Sequence, residues 1–355
     1  MTTRVLAAGD HFVLPGLLAD AVRDAAAEAG RDVDVTELTL PWPIEPFGPV
    51  AEVNEASGTE EELIAALRGV EVCVTQMAPL TERILAASPE LRLFGVGRGG
   101  PVNADLAAAT AHGVAVSYAP GRNATATAEH TLGMILSAAR RIPQTHADLT
   151  AGRWRGDYYR YDEVGIELAG STVGLVGCGA VGGRVAGLLA AFGAHVLVFD
   201  PYLSDEHLAT LAAAGAERVA DLDDLLGRAQ VISLHARATP QTAGMIGAAQ
   251  LAKLPPSAIV VNCARGSLLD YDAVCDAIDA GRLFGAAFDV FPEEPIPAGS
   301  RLLTTPGIVL TPHLAGASKQ TAANAAHIVA SDVGRYLRGK APVHCANPEA
   351  LPTVR

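Results

Sequence analysis

Three charged side chains in the last third of the chain have the chemistry of a ketone-reducing site. Arg265, Glu294 and His313 each come just after a short apolar run that predicts a β-strand. Hydride transfer to a ketone needs a proton donor at the carbonyl oxygen, and a 2-keto acid also needs a cation for its carboxylate. Taken singly, each residue has an equally good structural explanation. Arg265 is as typical of a surface ion pair, Glu294 of a solvated loop acid and His313 of a hydrogen-bonded loop histidine. Their common place at strand ends predicts a site.

A glycine-rich turn upstream predicts a dinucleotide site. Gly177, Gly179 and Gly182 satisfy G-x-G-x-x-G between an apolar strand and an apolar-periodic helix. They permit a tight turn, close approach of the backbone to a pyrophosphate and close helix–strand packing, and the helix N-terminus favours the phosphates. Asp200 ends the next predicted strand, where an acid would bind the ribose hydroxyls and repel a 2′-phosphate, so NAD is favoured over NADP. The alternative is a glycine-rich turn without a ligand.

Length and composition exclude several classes of protein. The chain has 355 residues, half of them hydrophobic, which predicts two globular domains. A net charge of −13 argues against nucleic acid or an anionic membrane as a partner. Five scattered cysteines without a C-x-x-C pair are typical of a reducing compartment and predict no metal site. No segment resembles a signal peptide or a membrane span, so we expect a cytoplasmic protein.

Short apolar runs alternate with Ala- and Leu-rich helical patterns, which predicts an α/β fold with doubly wound parallel sheets. Strands are predicted at 4–8, 33–38, 70–75, 91–96, 114–117, 172–177, 196–200, 231–235, 259–263, 285–289 and 308–311. Thr59 and Glu62 form a capping-box pattern that predicts a helix start. Helices are also predicted over 124–141, ending near Pro143, and over 318–337. The segment 152–165 has no clear periodicity, and the tail from Gly339 is predicted to be irregular.

The order of four motifs resembles the D-isomer-specific 2-hydroxyacid dehydrogenase family, which includes D-3-phosphoglycerate dehydrogenase. NCARGSLLD, AFDVFPEEP and TPHLAGAS resemble its three active-site signatures, and VGLVGCGAVGGRVA resembles its cofactor signature. The resemblance covers about 91–337. It implies two Rossmann-like domains with the active site in the cleft between them. Residues 1–119 would begin the substrate domain, 120–315 would bind NAD, and 316–355 would return to the substrate domain.

The resemblance also implies roles for single residues. Arg265 would hold the substrate carboxylate, His313 would be the general acid or base, and Glu294 would orient His313 and raise its pKa. Further NAD contacts are implied for Ala180, Val181, Cys263, Ala264, Asp289, Ala315 and Gly316. The implied reaction interconverts a small 2-keto acid and a D-2-hydroxy acid, in a homodimer. The aromatic residues of one segment belong either to that dimer contact or to an ordered surface loop: Trp154, Tyr158, Tyr159 and Tyr161.

The predicted substrate loop departs from the family pattern. Arg98 takes the place of a glycine and Val102 that of an aspartate, whereas Asn103 fits. We expect substrate contacts from Arg98, Gly99 and Gly100, with Arg98 binding a second anionic group such as a phosphate, a phosphonate or a distal carboxylate. The alternative is that Arg98 points away and pairs with a surface acid.

Other departures leave alternatives for cofactor and function. Arg237 stands where the family usually has a proline, beside the adenosine site, and leaves NADP use open. Phosphite oxidation stays open because that branch also adds a basic residue to the substrate loop. A non-catalytic NAD-sensing binding protein of the same fold is a further alternative. Formate oxidation is disfavoured, because that branch typically has glutamine in place of Glu294.

Overall fold

The chain forms two compact α/β units. A computed structural model describes residues 2–42, 48–204, 209, 211–213 and 215–351. The first unit consists of Met1–Asn123 and Ala317–Arg355, and the second of Ala124–Gly316. The end of the predicted irregular tail, 352–355, lies outside the described residues. No helix in the described ranges is long and apolar enough to cross a membrane.

The first unit is built on a five-stranded parallel sheet in the order β2-β1-β3-β4-β5. Its strands are β1 Thr3–Gly9, β2 Val33–Thr39, β3 Val72–Thr75, β4 Leu93–Val96 and β5 Ala115–Tyr118. Its helices are α1 Pro15–Glu28, α2 Glu60–Ala66, α3 Glu82–Ala87, α4 Leu106–Ala111 and α11 Lys319–Leu337. Helices α1 and α11 cover one face of the sheet, and α2, α3 and α4 cover the other. Both faces are therefore buried, which explains the nearly continuous apolar runs of the central strands.

The second unit is built on a seven-stranded parallel sheet in the order β12-β11-β10-β9-β6-β7-β8. Its strands are β6 Thr172–Val176, β7 His195–Phe199, β8 Glu217–Arg218, β9 Val231–Leu234, β10 Ala258–Asn262, β11 Leu283–Phe288 and β12 Ile308–Leu310. Its helices are α5 Ala124–Ala139, α6 Ile142–Thr150, α7 Ala180–Ala191, α8 Leu222–Arg228, α9 Ala248–Leu251 and α10 Tyr271–Asp279. The strand order reverses between β6 and β9, which is where open α/β sheets bind ligands.

The predicted fold class is confirmed: both sheets are parallel, doubly wound and covered by helices. Each predicted strand is present, with its ends shifted by at most two residues. The predicted helix start is also confirmed, because the Glu62 amide donates to Thr59 Oγ1 at 3.2 Å. Strand β8 was missed because it is a two-residue, exposed edge strand without an apolar pattern.

The helix predicted over 124–141 is present as α5 and ends two residues early, and the helix that follows it was not predicted. Helix α5 ends at Ala139, and Arg141 adopts the left-handed backbone conformation with φ +50°. Helix α6 then starts at Ile142 with Pro143 in its first turn. A first-turn proline is tolerated because its missing N–H has no helical acceptor there. The proline therefore marks the beginning of a second helix.

Candidate active site

Gly177 and Gly182 lie where a side chain would collide with backbone. Gly177 follows β6 with φ +94°, and a Cβ atom there would lie 2.6 Å from the Ala236 nitrogen. A Cβ atom at Gly182, in the first turn of α7, would lie 2.6 Å from the Gly177 carbonyl oxygen. The chain can turn this sharply, with α7 pressed against the end of β6, only without these side chains.

The same turn leaves the N-terminus of α7 open. Gly179 and Ala180 are exposed, and a Cβ atom at Gly179 would meet nothing within 4 Å. Helix α7 begins at Ala180, followed by the half-buried Val181. The unpaired N–H groups of a first helical turn and the helix dipole favour an anion. These residues fit the pyrophosphate of a dinucleotide.

Asp200 follows β7 and holds the glycine turn in place. Its Oδ2 accepts a hydrogen bond from the Cys178 amide at 2.8 Å, and its Oδ1 accepts one from the Tyr202 amide at 2.8 Å. A carboxylate has about four lone-pair sites. The half-buried side chain therefore keeps acceptor capacity for ribose hydroxyls and places a negative charge beside the turn.

The loop after β9 contributes one exposed cation. Burial lowers the pKa of His235 to about 4, so its ring is neutral at pH 7. The His235 Nε2 atom lies 3.0 Å from Ser233 Oγ. Arg237 is exposed, and its guanidinium forms no ion pair with another described residue. Its bearing on NADP use stays a prediction.

The loop after β10 is braced by side chains that the sequence reasoning missed. Asn262 Oδ1 accepts from the Ala264 amide at 3.0 Å, and Asn262 Nδ2 donates to the Arg265 carbonyl at 2.9 Å. Asn262 Nδ2 also donates to the Tyr271 hydroxyl at 3.1 Å, which in turn donates to the Val290 carbonyl at 2.6 Å. This chain of hydrogen bonds ties the β10 loop to the β11 loop. The sequence feature that could have indicated this network is Asn262, the first residue of the motif NCARG.

Glu294 and His313, from the loops after β11 and β12, are in direct contact. His313 Nδ1 lies 2.7 Å from Glu294 Oε2, and Glu294 Oε1 accepts from the Phe291 amide at 3.0 Å. The hydrogen bond to Glu294 raises the pKa of His313 and outweighs the lowering effect of burial. Burial raises the pKa of Glu294, but the hydrogen bonds from His313 and Phe291 and the nearby positive charges bring it below its usual value. The pair favours an imidazolium beside a carboxylate.

Asp289 anchors the turn that carries His313. This fully buried carboxylate accepts from Thr311 Oγ1 at 2.6 Å and from the amides of Leu314 and Ala315 at 2.9 and 2.8 Å. His130 on α5 extends the network, because its Nε2 lies 3.1 Å from Thr311 Oγ1. His130 and Thr311 were not predicted. The sequence signal for Thr311 was its place in TPHLAGAS, whereas His130 lies far away in the chain.

Arg265 lies at the end of β10, next to the strand that leads to Glu294. Its side chain is exposed, and its Nη1 donates to the Ala264 carbonyl at 2.7 Å. The Arg265 charge lowers the pKa of both His313 and Glu294 but forms no ion pair with Glu294 within the described structure. Burial raises the pKa of Cys263 to about 12, so this predicted cofactor contact is a neutral thiol.

The predicted substrate loop belongs to the first unit. Arg98 forms an ion pair with Glu55 through Nη2, and its Nη1 donates to the Glu55 carbonyl at 3.2 Å. Gly99 and Gly100 have open space where a Cβ atom would be, whereas Asn103 is buried and donates to the Ala78 carbonyl at 2.7 Å. Arg98 therefore has an acidic partner, and its role in substrate binding stays a prediction.

Comparison with known proteins agrees with this geometry. The family model described as D-isomer specific 2-hydroxyacid dehydrogenase, NAD binding domain, matches residues 132–315. D-3-phosphoglycerate dehydrogenase of Methanocaldococcus jannaschii is 37% identical over 305 residues, which cover 85% of this chain and 57% of that protein. The chain thus spans little more than half the length of this relative.

Solved structures show the same fold. The TT0316 protein from Thermus thermophilus is 28% identical with a TM-score of 0.74, covering 97% of this chain and 100% of that one. The NAD-complexed D-isomer specific 2-hydroxyacid dehydrogenase from Lactobacillus delbrueckii is 21% identical with a TM-score of 0.77 and the same coverage, a likeness of fold alone. The glycine turn after β6, Asp200 after β7 and the match over more than half of the chain lead to one conclusion. The chain belongs to the D-isomer specific 2-hydroxyacid dehydrogenase family and carries its NAD-binding domain.

Proposed function

We propose that the protein reduces a 2-keto acid to a D-2-hydroxy acid with NADH. The observation that carries this proposal is the 2.7 Å contact between His313 Nδ1 and Glu294 Oε2, in the same unit as the dinucleotide turn. NADH, when bound, supplies the hydride. The side chains of the protein supply the proton, hold the substrate carboxylate and orient both reactants.

His313 supplies the proton. Because Glu294 accepts from Nδ1, the other ring nitrogen, Nε2, is left to protonate the carbonyl oxygen as charge develops there. The pKa of His313 is raised, so the imidazolium persists to a higher pH than in a free histidine. Reduction should therefore fade as the pH rises through the His313 pKa. Oxidation needs the neutral ring and should fade as the pH falls through it.

Arg265 binds the substrate carboxylate. Its planar guanidinium matches a carboxylate with two parallel hydrogen bonds, which a lysine cannot provide. Asn262 supports this role, because it accepts from the Ala264 amide and donates to the Arg265 carbonyl, and it also donates to the Tyr271 hydroxyl. The loops after β10, β11 and β12 carry further residues that we propose contact NAD: Cys263, Ala264, Asp289, Ala315 and Gly316.

The substrate in this proposal carries a second anionic group. Support comes from a relative that is a D-3-phosphoglycerate dehydrogenase, a name that specifies a phosphorylated acid as its substrate. Asp200 beside the glycine turn supports NADH over NADPH.

The test is NADH oxidation with glyoxylate, pyruvate, phosphonopyruvate and 3-phosphohydroxypyruvate, with NADPH in parallel. We expect turnover with NADH and the highest kcat/KM for an acid with a second anionic group. Activity confined to glyoxylate and pyruvate would remove the second anionic group from the proposal. With NADH bound but no keto acid reduced, oxidation of phosphite would favour a phosphite dehydrogenase. Failure with phosphite as well would favour a non-catalytic NAD sensor.

We also propose a homodimer, with the aromatic segment of the second unit in the contact. Trp154, Tyr159 and Tyr161 are 85%, 90% and 95% exposed, and α6 beside them buries no residue. Large exposed aromatic side chains are typical of protein interfaces. The test is sedimentation of the Trp154→Ser, Tyr161→Ser double variant, which should be monomeric. A dimeric variant, or a monomeric native protein, would contradict the assignment.

A further inference from the structure

A buried tyrosine hydroxyl lies between the loop that carries Arg265 and the loop that carries Glu294. Tyr271 is the first residue of α10, directly after Asp270, whose side chain accepts from the Ala273 amide and caps the helix. Tyr271 is 6% exposed, and burial raises the pKa of its hydroxyl, which therefore keeps its proton at neutral pH. A neutral tyrosine hydroxyl has one proton to donate.

The two partners of the hydroxyl decide where that proton points. Asn262 Nδ2 is a donor and lies 3.1 Å from the Tyr271 hydroxyl, so the hydroxyl oxygen accepts there. The hydroxyl proton is left for the Val290 carbonyl, which lies 2.6 Å away. All three residues are buried, and hydrogen bonds are electrostatically stronger in such surroundings than in water. The hydroxyl therefore holds the Val290 carbonyl in a defined direction.

The peptide group between Val290 and Phe291 links this tyrosine to Glu294. Its carbonyl accepts from the Tyr271 hydroxyl, and its N–H donates to Glu294 Oε1 at 3.0 Å. A trans peptide group is planar with its carbonyl and N–H on opposite sides, so fixing the direction of one fixes that of the other. A hydrogen bond accepted at the carbonyl also polarises the group and strengthens its N–H as a donor. Tyr271 thus acts on Glu294 through a single peptide group.

Glu294 extends the same chain of contacts to the proton carrier. Its Oε2 lies 2.7 Å from His313 Nδ1, and this hydrogen bond is the main cause of the raised pKa of His313. The Asp289 charge also raises that pKa, whereas burial and the Arg265 charge lower it. The protonation of His313 therefore depends on the direction of Glu294, which in turn depends on the peptide group that Tyr271 holds.

The ring of Tyr271 has a separate packing role. Its centroid lies 4.8 Å from that of Phe288, edge to face, and 6.4 Å from that of Phe291. A phenylalanine at position 271 would keep these ring contacts and remove the hydroxyl alone. The packing of the ring and the hydrogen bonds of the hydroxyl can therefore be tested apart.

We propose that the Tyr271 hydroxyl is a positioning group for the reaction: it orients Glu294 through the peptide group between Val290 and Phe291, and Glu294 holds His313 ready to transfer its proton. This inference rests on the proposed keto-acid reduction. It adds to that proposal a residue that contacts neither His313 nor Glu294 directly, through the hydrogen bonds described above, and yet sets how the pair titrates.

The kinetic test is the variant Tyr271→Phe. We expect kcat for keto-acid reduction to fall about 2- to 10-fold, the effect of one lost hydrogen bond, with KM for NADH unchanged. The fall in reduction rate with rising pH should begin at a lower pH than in the native protein. This shift should be smaller than in Glu294→Gln, because Tyr271→Phe leaves the carboxylate charge in place.

Tyr336→Phe is the matched control for the kinetic test. It also removes one tyrosine hydroxyl that donates to a buried-side partner, because Tyr336 donates to Glu71 Oε1 at 2.6 Å in the first unit. Its pH profile should equal that of the native protein. If Tyr271→Phe lowers Tm but keeps the native pH profile, the hydroxyl has a structural role only and the proposal is wrong.

A double variant tests the route through Glu294. In the Glu294→Gln background the hydroxyl has no carboxylate to orient, so adding Tyr271→Phe should leave the pH profile where Glu294→Gln alone places it. A further shift to lower pH in the double variant would show that the hydroxyl acts on His313 by another route, which would overturn the proposal.

NMR titration of the His313 ring, in protein without keto acid, separates this inference from the proposed function. The signal is assigned by its absence from His313→Gln. The ring should deprotonate at a lower pH in Tyr271→Phe and at the native pH in Tyr336→Phe. If no keto acid is reduced but this pattern holds, the reaction is wrong and the positioning role stands. If keto acids are reduced but Tyr271→Phe titrates like the native protein, the reaction stands and the positioning role is wrong.

Discussion

The two sheet edges of this protein handle charge in opposite ways. At the carboxyl edge of the second sheet, Glu294 and His313 are in contact at 2.7 Å, and the Asp289 carboxylate accepts three hydrogen bonds from the turn that carries His313. At the carboxyl edge of the first sheet, Arg122 donates to a neutral glutamine, and Asp10 Oδ2 has no hydrogen-bond partner among the residues that the structure describes. Preformed pairs suit a proton carrier, which must be oriented before the substrate arrives. At the first edge, Arg122 has no carboxylate within 4.0 Å in the described part of the chain, so its charge is left unpaired by a neighbouring acid.

The largest effect should come from removing the proton carrier. His313→Gln should lower kcat for keto-acid reduction by about 10²- to 10⁴-fold, the usual contribution of a positioned general acid. NADH binding, measured by fluorescence titration, should be unchanged. His112→Gln is the matched control, since His112 pairs with Glu82 on the surface of the first unit. Full activity of His313→Gln would show that the pair of Glu294 and His313 at the second sheet is not the proton carrier, and the contrast between the two edges would fail.

Replacement of the carboxylate ligand should rank second. Arg265→Lys keeps the charge but loses the planar fork, and we expect kcat/KM to fall by about 10- to 100-fold. Arg301→Lys is the control, because Arg301 pairs with Asp276 and Asp279 on the surface. Steady-state kinetics with a single keto acid measures kcat/KM for both variants. An equal, small effect of the two variants would remove Arg265 from the site.

The pairing of Glu294 with His313 predicts a pH signature. In Glu294→Gln the negative charge that stabilises the His313 imidazolium is lost, so the imidazolium should deprotonate at a lower pH. The fall in reduction rate should move to lower pH, with about a tenfold loss of kcat near neutrality. The exposed neighbour Glu293→Gln should leave the profile unchanged. An unshifted profile in Glu294→Gln would show that the carboxylate does not tune His313.

The smallest effect should come from the ion pair of the first unit. Glu55 is 53% exposed on its side chain, and an exposed pair typically contributes no more than about 1 kcal/mol to the free energy of unfolding. Glu55→Gln should therefore shift Tm slightly and change kcat/KM by less than about threefold. Thermal denaturation measures the shift in Tm, and steady-state kinetics measures the change in kcat/KM. A large gain in affinity for doubly anionic acids would show that Glu55 competes with substrate for Arg98.

Much of the fold follows from local pattern. The buried strands β3 and β10 are short apolar runs, and helix α2 begins directly after Thr59, whose Oγ1 accepts from the amide of Glu62. Such signals lie within a few residues of one another. Strand β8 and the break between α5 and α6 were not predicted, because a two-residue edge strand carries no periodicity and a proline can start a helix as well as end one.

For the site, the sequence by itself determined which residue types lie at the strand ends: Arg265, Glu294, His313 and Asp200. Only the tertiary structure decided their partners. Glu55 lies 43 residues from Arg98, and Gln76 lies 46 from Arg122, so no local spacing links either pair. His130 and Thr311 meet across 181 residues. The physical reason is that parallel strands adjacent in a sheet are far apart in the chain, so the order of strands chooses which loops meet.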